Sequence, residues 1–258
     1  MAIDAADPGV EATSAACLEA FGIDETTAVR LRAAVAYLSP SPLIFEARRV
    51  FDYGRQHEIP TRAIELYWRT RALSLSQWEQ EAIRVSLNSP EGALRQILEM
   101  KAARQGVADS PTAYIRIDCF GKRVQSPCLL EIWPGGHYSP IHEHASSTGL
   151  MKGVFGRVDI MLYESLGAQP KEVALLSMTA ERCSWMSPEH YQAHKVFCPM
   201  AAHDFAATFH IYVDTQGEFF RYREEAAPHR IAEFLTESDI TWGQFYKGLT
   251  EAVPYYAD

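Results

Sequence analysis

"WPGGHYSPIHEHASSTGLMKGVFGRVDIMLYE", Trp133 to Glu164, is the stretch on which the reading of this chain turns. It opens on a glycine turn, passes two histidines one residue apart, and continues as two apolar, β-branched runs split at Gly156. Residues two apart on a strand share a face, so His142 and His144 project together while Glu143 points the opposite way. Such a pair is either a coincidence of a strand surface or the first half of a metal site, and the surroundings must decide.

Working outward, short β-rich runs follow one another from Ala113: "AYIRIDCF", "PCLLEIW", "LMKGVF", "RVDIMLYE", "EVALLSM", "HKVFC", "FAATFHIYV" and "EFFRYRE". Gly, Pro, Ser and Asp clusters separate them at the spacing of a sandwich or small barrel. Upstream the pattern is helical. "PLIFEARRVFDYG" places Ile44, Ala47 and Phe51 on one face, and "TRAIELYWRTRAL" does the same with Ile64, Tyr67 and Trp68. "NSPEGALRQILEM" predicts an N-cap at Ser89 with Pro90 at the first helical position, then a Leu94, Ile97 and Leu98 stripe. The Trp and Tyr residues here read as core or dimer packing rather than a ligand pocket. The tail reads as helix again, with Ile231, Phe234 and Leu235 on one stripe and Trp242, Phe245, Tyr246 and Leu249 on another. The expected organisation is a helical region over 1–110, a β-barrel over 111–225 and a helical tail over 226–258, without internal repeats.

Composition sets outer bounds. The 258 residues are 47% hydrophobic and 22% charged, enough for a substantial core. The net charge of -9 argues against a nucleic-acid partner. No apolar run reaches the roughly 20 residues that span a bilayer, and "MAIDAADPGVEATSAA" has no signal-peptide pattern. Cys17, Cys119, Cys128, Cys183 and Cys198 show no framework spacing and read as reduced thiols, so a cytoplasmic location is expected.

Gly136, five residues, His142-x-His144 and Gly156 together resemble the first motif of the cupins, with Gly149 where that motif carries glutamate. "HYQAHKVFC" supplies His194 where the second cupin motif has its histidine. Three neutral imidazoles without a carboxylate would leave the full charge on a divalent cation, and so favour anionic ligands and lower the pKa of a bound thiol or water. Residue identity does not choose between iron and zinc.

The stretch from Tyr114 to Tyr212 further resembles the cysteine dioxygenase family of thiol dioxygenases. "YIR" at Tyr114 to Arg116, 26 residues before His142, is similar to the segment whose arginine pairs with the substrate carboxylate. Trp133, Gly136, His137, Ser139, Ile141, His142 and His144 fit the next segment, "HKV" at His194 the third ligand, and "TFHIY" the Ser-x-His-x-Tyr relay with Thr208 for serine. The resemblance implies a mainly β cupin (jelly-roll) barrel holding Fe(II) on His142, His144 and His194. It implies substrate contacts from Arg116 and Tyr114, and a relay of Thr208, His210 and Tyr212. The reaction would join a small thiol carboxylate to O2, giving a sulfinic acid.

The chain departs from that family in two places. Gly149 stands where animal members have the cysteine that crosslinks to the tyrosine, so no crosslink is expected here. Val213-Asp214 replaces Ser-Pro after Tyr212, so the adjoining loop should differ. Bland readings stay open: Arg116 paired with a Glu or Asp, and Thr208, His210 and Tyr212 as ordinary half-buried strand residues. His190 and His203 are rivals to His194, and His137 reads as structural. Open alternatives are another thiol, such as 3-mercaptopropionate or a bulkier one, and a non-oxidative zinc cupin or ligand-binding module. Homo-oligomerisation is left open.

Overall fold

The computed structural model describes residues 13–39, 43–57, 59–70, 73–121, 126–144, 147–167, 169–213, 219–223, 230–235 and 238–253. The chain begins with α1 (Ala15–Phe21) and α2 (Glu25–Ala34), each capped by its own side chain, Ser14 on Cys17 N and Asp24 on Thr27 N. A short strand β1 (Ile44–Glu46) follows, then α3 (Val50–Gln56), α4 (Thr61–Thr70), α5 (Gln77–Asn88) and α6 (Ala93–Arg104). α5 starts on a reciprocal cap: Glu79 N donates to Ser76 Oγ, and Ser76 N donates to Glu79 Oε2 at 2.7 Å.

The strands then come in order as β2 (Ile115–Asp118), β3 (Cys128–Pro134), β4 (His142–Glu143), β5 (Thr148–Phe155), β6 (Arg157–Tyr163), β7 (Glu172–Thr179) and β8 (Arg182–Met186). After these come β9 (His194–Phe197), β10 (Phe205–Val213), β11 (Phe219–Arg223), β12 (Ile231–Leu235) and β13 (Ile240–Thr241). Helix α7 (Trp242–Ala252) follows directly, with a second reciprocal cap between Thr241 and Gln244.

Their pairing defines the architecture. β3 with β10, β4 with β9, β5 with β8 and β6 with β7 are four nested antiparallel pairs. Successive pairs alternate between two sheets, ordered β1-β8-β5-β10-β3-β2-β13 and β12-β11-β4-β9-β6-β7. A long β ribbon folded back at the β6–β7 hairpin and rolled up in this way is the jelly roll of the cupins. Every position of β3 and of β10 is buried, because one face lines the barrel and the other lies beneath the helices. One apolar cluster runs from Leu43, Ile64 and Leu94 through Ile132 and Phe209 to Leu249, joining helices and barrel.

The α1–α2 pair is fixed to the other sheet by charge as well as apolar contact. Asp159 on β6 is fully buried, accepts from Ser177 Oγ at 2.6 Å and from Cys17 Sγ, and faces Arg32 at 3.5 Å and Arg157 at 3.3 Å.

Several sequence expectations need correction. Ile44 to Phe51 is not one helix: Ile44–Glu46 pairs with β8, Ala47–Arg49 is a 3-10 turn, and only the remainder is α-helical. Phe51 and Trp68 are about two-fifths exposed and pack edge to face on each other rather than on the core. Ser89 does not start α6; it ends α5, its N–H donating to Val85 O. The cap of α6 is Gly92, where a Cβ would collide with the Ser86 carbonyl, so the tight α5–α6 corner requires glycine. Ile231, Phe234 and Leu235 lie on a strand, not a helix, because β11 offers a free edge that β12 completes. Five apolar-rich residues satisfy either period, and the tertiary partner decides. "RCSWM" (β8), absent from the strands read in the sequence, pairs with β5 and β1.

Candidate metal centre and adjoining cavities

His142 lies on β4, opposite His194 on β9 in direct register, and His144 follows one residue beyond β4. Their ligand atoms all lie within 4.8 Å of one another. The three therefore meet because a two-residue repeat on one strand faces the partner strand inside the barrel. Their second nitrogens are tied down: His142 Nδ1 lies 3.0 Å from Pro140 O, and His194 Nδ1 lies 2.9 Å from Gln192 O. Carbonyls only accept, so both Nδ1 atoms carry the proton and both Nε2 atoms are left as lone pairs.

Burial holds all three rings neutral, most simply at His194, whose pKa it lowers to about 4. His142 and His144 are pushed well below the ordinary histidine value by burial and by the neighbouring imidazoles. The Nε2 atoms of His144 and His194 lie 3.3 Å apart, a separation at which two imidazoles share one proton or one cation. Neutral, converging, pre-oriented imidazoles fit a divalent metal ion. Glu143 points away and pairs with Arg221 at 2.8 Å, so it is no ligand. Of the rivals, His190 contacts Ser187, and neither it nor His203 joins the cluster. His137 Nδ1 donates to Ala113 O at 2.6 Å, outside the cluster.

Two cavities open on the cluster. The polar one is lined by Tyr114, Arg116, Glu131, Trp133, His210 and Tyr212 together with the three histidines. The larger shares His144, His194, His210 and Tyr212 but is otherwise walled mostly by apolar groups such as Leu43, Leu150, Leu162, Trp185, Met186 and Tyr191. Tyr212 stacks on His144 at 4.8 Å, and Gly149 is its cross-strand partner. A Cβ at Gly149 would come 3.3 Å from Tyr212 Cδ1, so the glycine removes both a crosslinking group and bulk. Of the two residues after Tyr212, Val213 is buried, and Asp214 lies outside the described residues.

Thr208, His210 and Tyr212 do form a chain on β10. Thr208 Oγ1 lies 2.8 Å from His210 Nε2, and His210 Nδ1 lies 3.0 Å from Tyr212 Oη. The chain extends beyond the sequence expectation in two directions. Trp133 Nε1 donates to Thr208 Oγ1 at 2.8 Å, and Glu131 Oε2 sits 3.1 Å from His210 Nε2. Glu131 also faces Arg116 Nε at 3.3 Å, the two being direct partners across β2 and β3. Arg116 thus has an internal carboxylate partner at the wall of the cavity it lines. Tyr114 stacks on Trp133 at 4.0 Å, and its carbonyl accepts from Lys101, which also pairs with Asp239 at 2.9 Å. Asp239 in turn accepts the backbone N–H of Arg116 at 2.8 Å.

The protonation states are coupled. His210 is neutral, burial and then the Arg116 charge lowering it to about 3. Burial raises Glu131 to about 7 against the opposing pull of Arg116 and Lys101. When Glu131 is ionised it demands a proton on His210 Nε2, so Nδ1 becomes the acceptor of the Tyr212 hydroxyl. When Glu131 is protonated, Nε2 can accept, Nδ1 carries the proton, and the Tyr212 hydroxyl proton is released toward the cavity.

Glu131 is the residue that sequence reasoning missed. Its signal was present: a lone charge in "CLLEIWP", a run otherwise fit for burial on both faces. Gln192 was missed too; its side chain accepts from His144 N at 3.1 Å and donates to Ser147 O at 2.9 Å, bracing the histidine loop.

Strand order and site together define a cupin-fold barrel with a three-histidine cluster able to hold a metal. No protein-family model and no curated protein matches the sequence. Among solved structures, an oxalate oxidase in complex with glycolate aligns at 14% identity over 44% of this chain and 56% of its own, with a TM-score of 0.34. The chain thus spans little more than half of that relative. A cupin-superfamily sugar phosphate isomerase from Silicibacter pomeroyi aligns at 11% identity over 45% and 71%, with a TM-score of 0.31. A mutant Bacillus subtilis oxalate decarboxylase aligns at 11% identity over 43% and 24%, with a TM-score of 0.29. The fold assignment rests on the strand order itself. All five cysteines are free, and burial pushes their thiols up to about 12, away from the thiolate form. Among the described residues no helix is long and apolar enough to cross a membrane.

Proposed function

We propose that the protein is a mononuclear non-haem iron thiol dioxygenase that converts a small thiol carboxylate to its sulfinic acid with O2, in a reducing, cytoplasmic setting. The observation that carries this reading is the abutment of a neutral three-histidine cluster on a buried cavity holding Arg116 and the Tyr212 chain. In that reaction one thiol and one O2 give one sulfinic acid; sulfur supplies all four electrons, and no co-reductant is needed. Fe(II) on His142, His144 and His194 would bring thiolate and O2 together and raise the thiolate fraction at neutral pH.

The chain's own residues do the rest. Arg116 meets the substrate carboxylate in a cavity that excludes bulk water, where a charge-assisted pair is strong. Tyr212, held by His210, presents its hydroxyl at the edge of the histidine cluster, and Thr208 and Trp133 fix the His210 ring. The thiol's proton has an exit route along Tyr212 and His210 to Glu131, the group whose pKa lies nearest neutrality.

The test is O2 uptake by anaerobically iron-loaded protein with a panel of thiols, with mass spectrometry of the products. Uptake giving a product two oxygen atoms heavier is the expected result, with His194→Ala inactive and Arg116→Ala raised in KM more than lowered in kcat. No uptake with any thiol, despite iron confirmed on the protein, would replace this reading with a non-oxidative cupin.

A further inference from the structure

The polar cavity carries two opposite charges where one would serve to hold a carboxylate. Arg116 and Glu131 stand side by side in register, both about 95% buried, and both line the same wall. Lys101 and Asp239 behind them pair with each other, so the local charge is balanced before any ligand enters. A buried ion pair is a weak stabiliser compared with apolar residues of the same volume, and the neighbours of Glu131 on β3, Leu130 and Ile132, are apolar. Stability therefore gives no reason to keep the glutamate. Ligand charge does. A ligand bearing only a carboxylate would place two carboxylates on one guanidinium in a site with little water, which is unfavourable. A ligand bearing only an ammonium would set two cations beside one carboxylate.

We propose that Glu131 is a specificity-determining residue that receives a cationic group of the substrate while Arg116 receives its carboxylate, so that the preferred thiol carries an α-ammonium carboxylate head. This rests on the thiol dioxygenase reading for the identity of the thiol, but the head-group selection follows from the cavity alone. Glu131 keeps its contact to His210 through Oε2 and opens the Arg116 side, Oε1, to the incoming ammonium, while the ligand carboxylate takes its place on the guanidinium. One ion pair is exchanged for two, with no net change of buried charge.

The experiment is anaerobic calorimetry of the iron-loaded protein at about pH 8, above the point near 7 to which burial lifts Glu131, where its carboxylate is ionised. L-cysteine, 3-mercaptopropionate and cysteamine share the thiol and differ only in head charge. Direct binding of the amino group to the metal would favour L-cysteine in every variant equally, so the informative quantity is how its preference over 3-mercaptopropionate changes. In Glu131→Gln that preference should fall by about tenfold or more, the worth of one charge-assisted hydrogen bond. An unchanged preference overturns the proposal. Should Glu131→Gln fail to fold with Arg116 left unpaired, Arg116→Gln/Glu131→Gln removes both charges and carries the same test. Loss of the arginine weakens both carboxylate thiols alike, so a fall in preference still reports Glu131, and no fall refutes its role. O2 uptake is scored separately: Glu131-dependent selection without oxidation would sink the dioxygenase reading alone, and oxidation without selection would sink this proposal alone.

Discussion

Acid should destabilise the metal-free protein through its buried imidazoles. His142, His144, His194 and His210 are all kept neutral in the folded state, His194 down to about 4 and His210 to about 3. In the unfolded chain each takes a proton near pH 6.5. Their neutrality contributes stability that is present in full above 6.5 and is lost as pH falls toward the folded values, because the unfolded state then binds more protons. Between about pH 7.5 and 5 His194 and His210 cost about 2 kcal/mol each, about 4 kcal/mol together, and His142 and His144 add to the loss in the same direction. His137, also lowered by burial, adds to the loss. Glu131 acts with the opposite sign. Lifted from 4.5 to about 7, it binds its proton more readily folded than unfolded, so its stabilising contribution is full below 4.5 and lost as pH rises through 7. Over the same interval it returns about 2 kcal/mol. His194, His210 and Glu131 together leave a net loss of about 2 kcal/mol, to which His142 and His144 add, a sizeable part of the roughly 5–15 kcal/mol of an ordinary domain, so metal-free protein should lose stability steadily toward pH 5. Urea denaturation of chelator-treated protein across that range measures the slope. A stability flat to within about 1 kcal/mol would refute the placement of these rings as buried and neutral. Saturating Zn(II) or Fe(II) should move the acid transition to lower pH, since a bound ion stabilises only the folded state and occupies three of the four rings.

Other expectations bear on the parts that position the site. Asp159→Ala leaves Arg32 and Arg157 without their shared buried carboxylate and should cost about 3–5 kcal/mol in chemical denaturation; a loss below about 1 kcal/mol would mean the α1–α2 clasp is not held there. Gly149→Ala brings a methyl within 2.6 Å of Met186 Cε and should cost about 1–3 kcal/mol, with Met186→Ala in the same chain relieving the clash. If the double variant is no more stable than the sum of the singles, the contact is not the cause. Thr208→Val deprives Trp133 Nε1 of its acceptor and should cost about 1–3 kcal/mol, His210 Nε2 keeping Glu131 Oε2, while Thr208→Ser restores the hydroxyl. Equal stability of the Val and Ser variants would show that the chain does not pass through this hydroxyl.

Much of the barrel is written in local pattern. The alternation in "FAATFHIYV" puts Thr208, His210 and Tyr212 on one face, and the chain of hydrogen bonds follows from that period. His142-x-His144 likewise fixes two cluster members by covalent spacing. The helical stripe of Leu94, Ile97 and Leu98 is buried as its period requires. Where both periods fit, as at Ile231 to Leu235, or where no period is long enough, as at Ile44 to Glu46, the sequence is silent and a neighbouring strand edge decides.

What the sequence by itself determined, then, is which residues share a face, because that depends only on backbone geometry between near neighbours. What the tertiary structure decided is which faces meet. His194 joins His142 across β4 and β9, fifty-two positions apart by numbering, through the wrapping of the ribbon. Glu131 became the partner of Arg116 and His210 because β2, β3 and β10 set Arg116, Glu131 and Thr208 at one level of the barrel wall, with His210 two residues along β10 on the same face as Thr208. A single glutamate in an apolar run announces that something must compensate it; only the register of the strands on either side says what, since a shift of one residue would turn it to the opposite face.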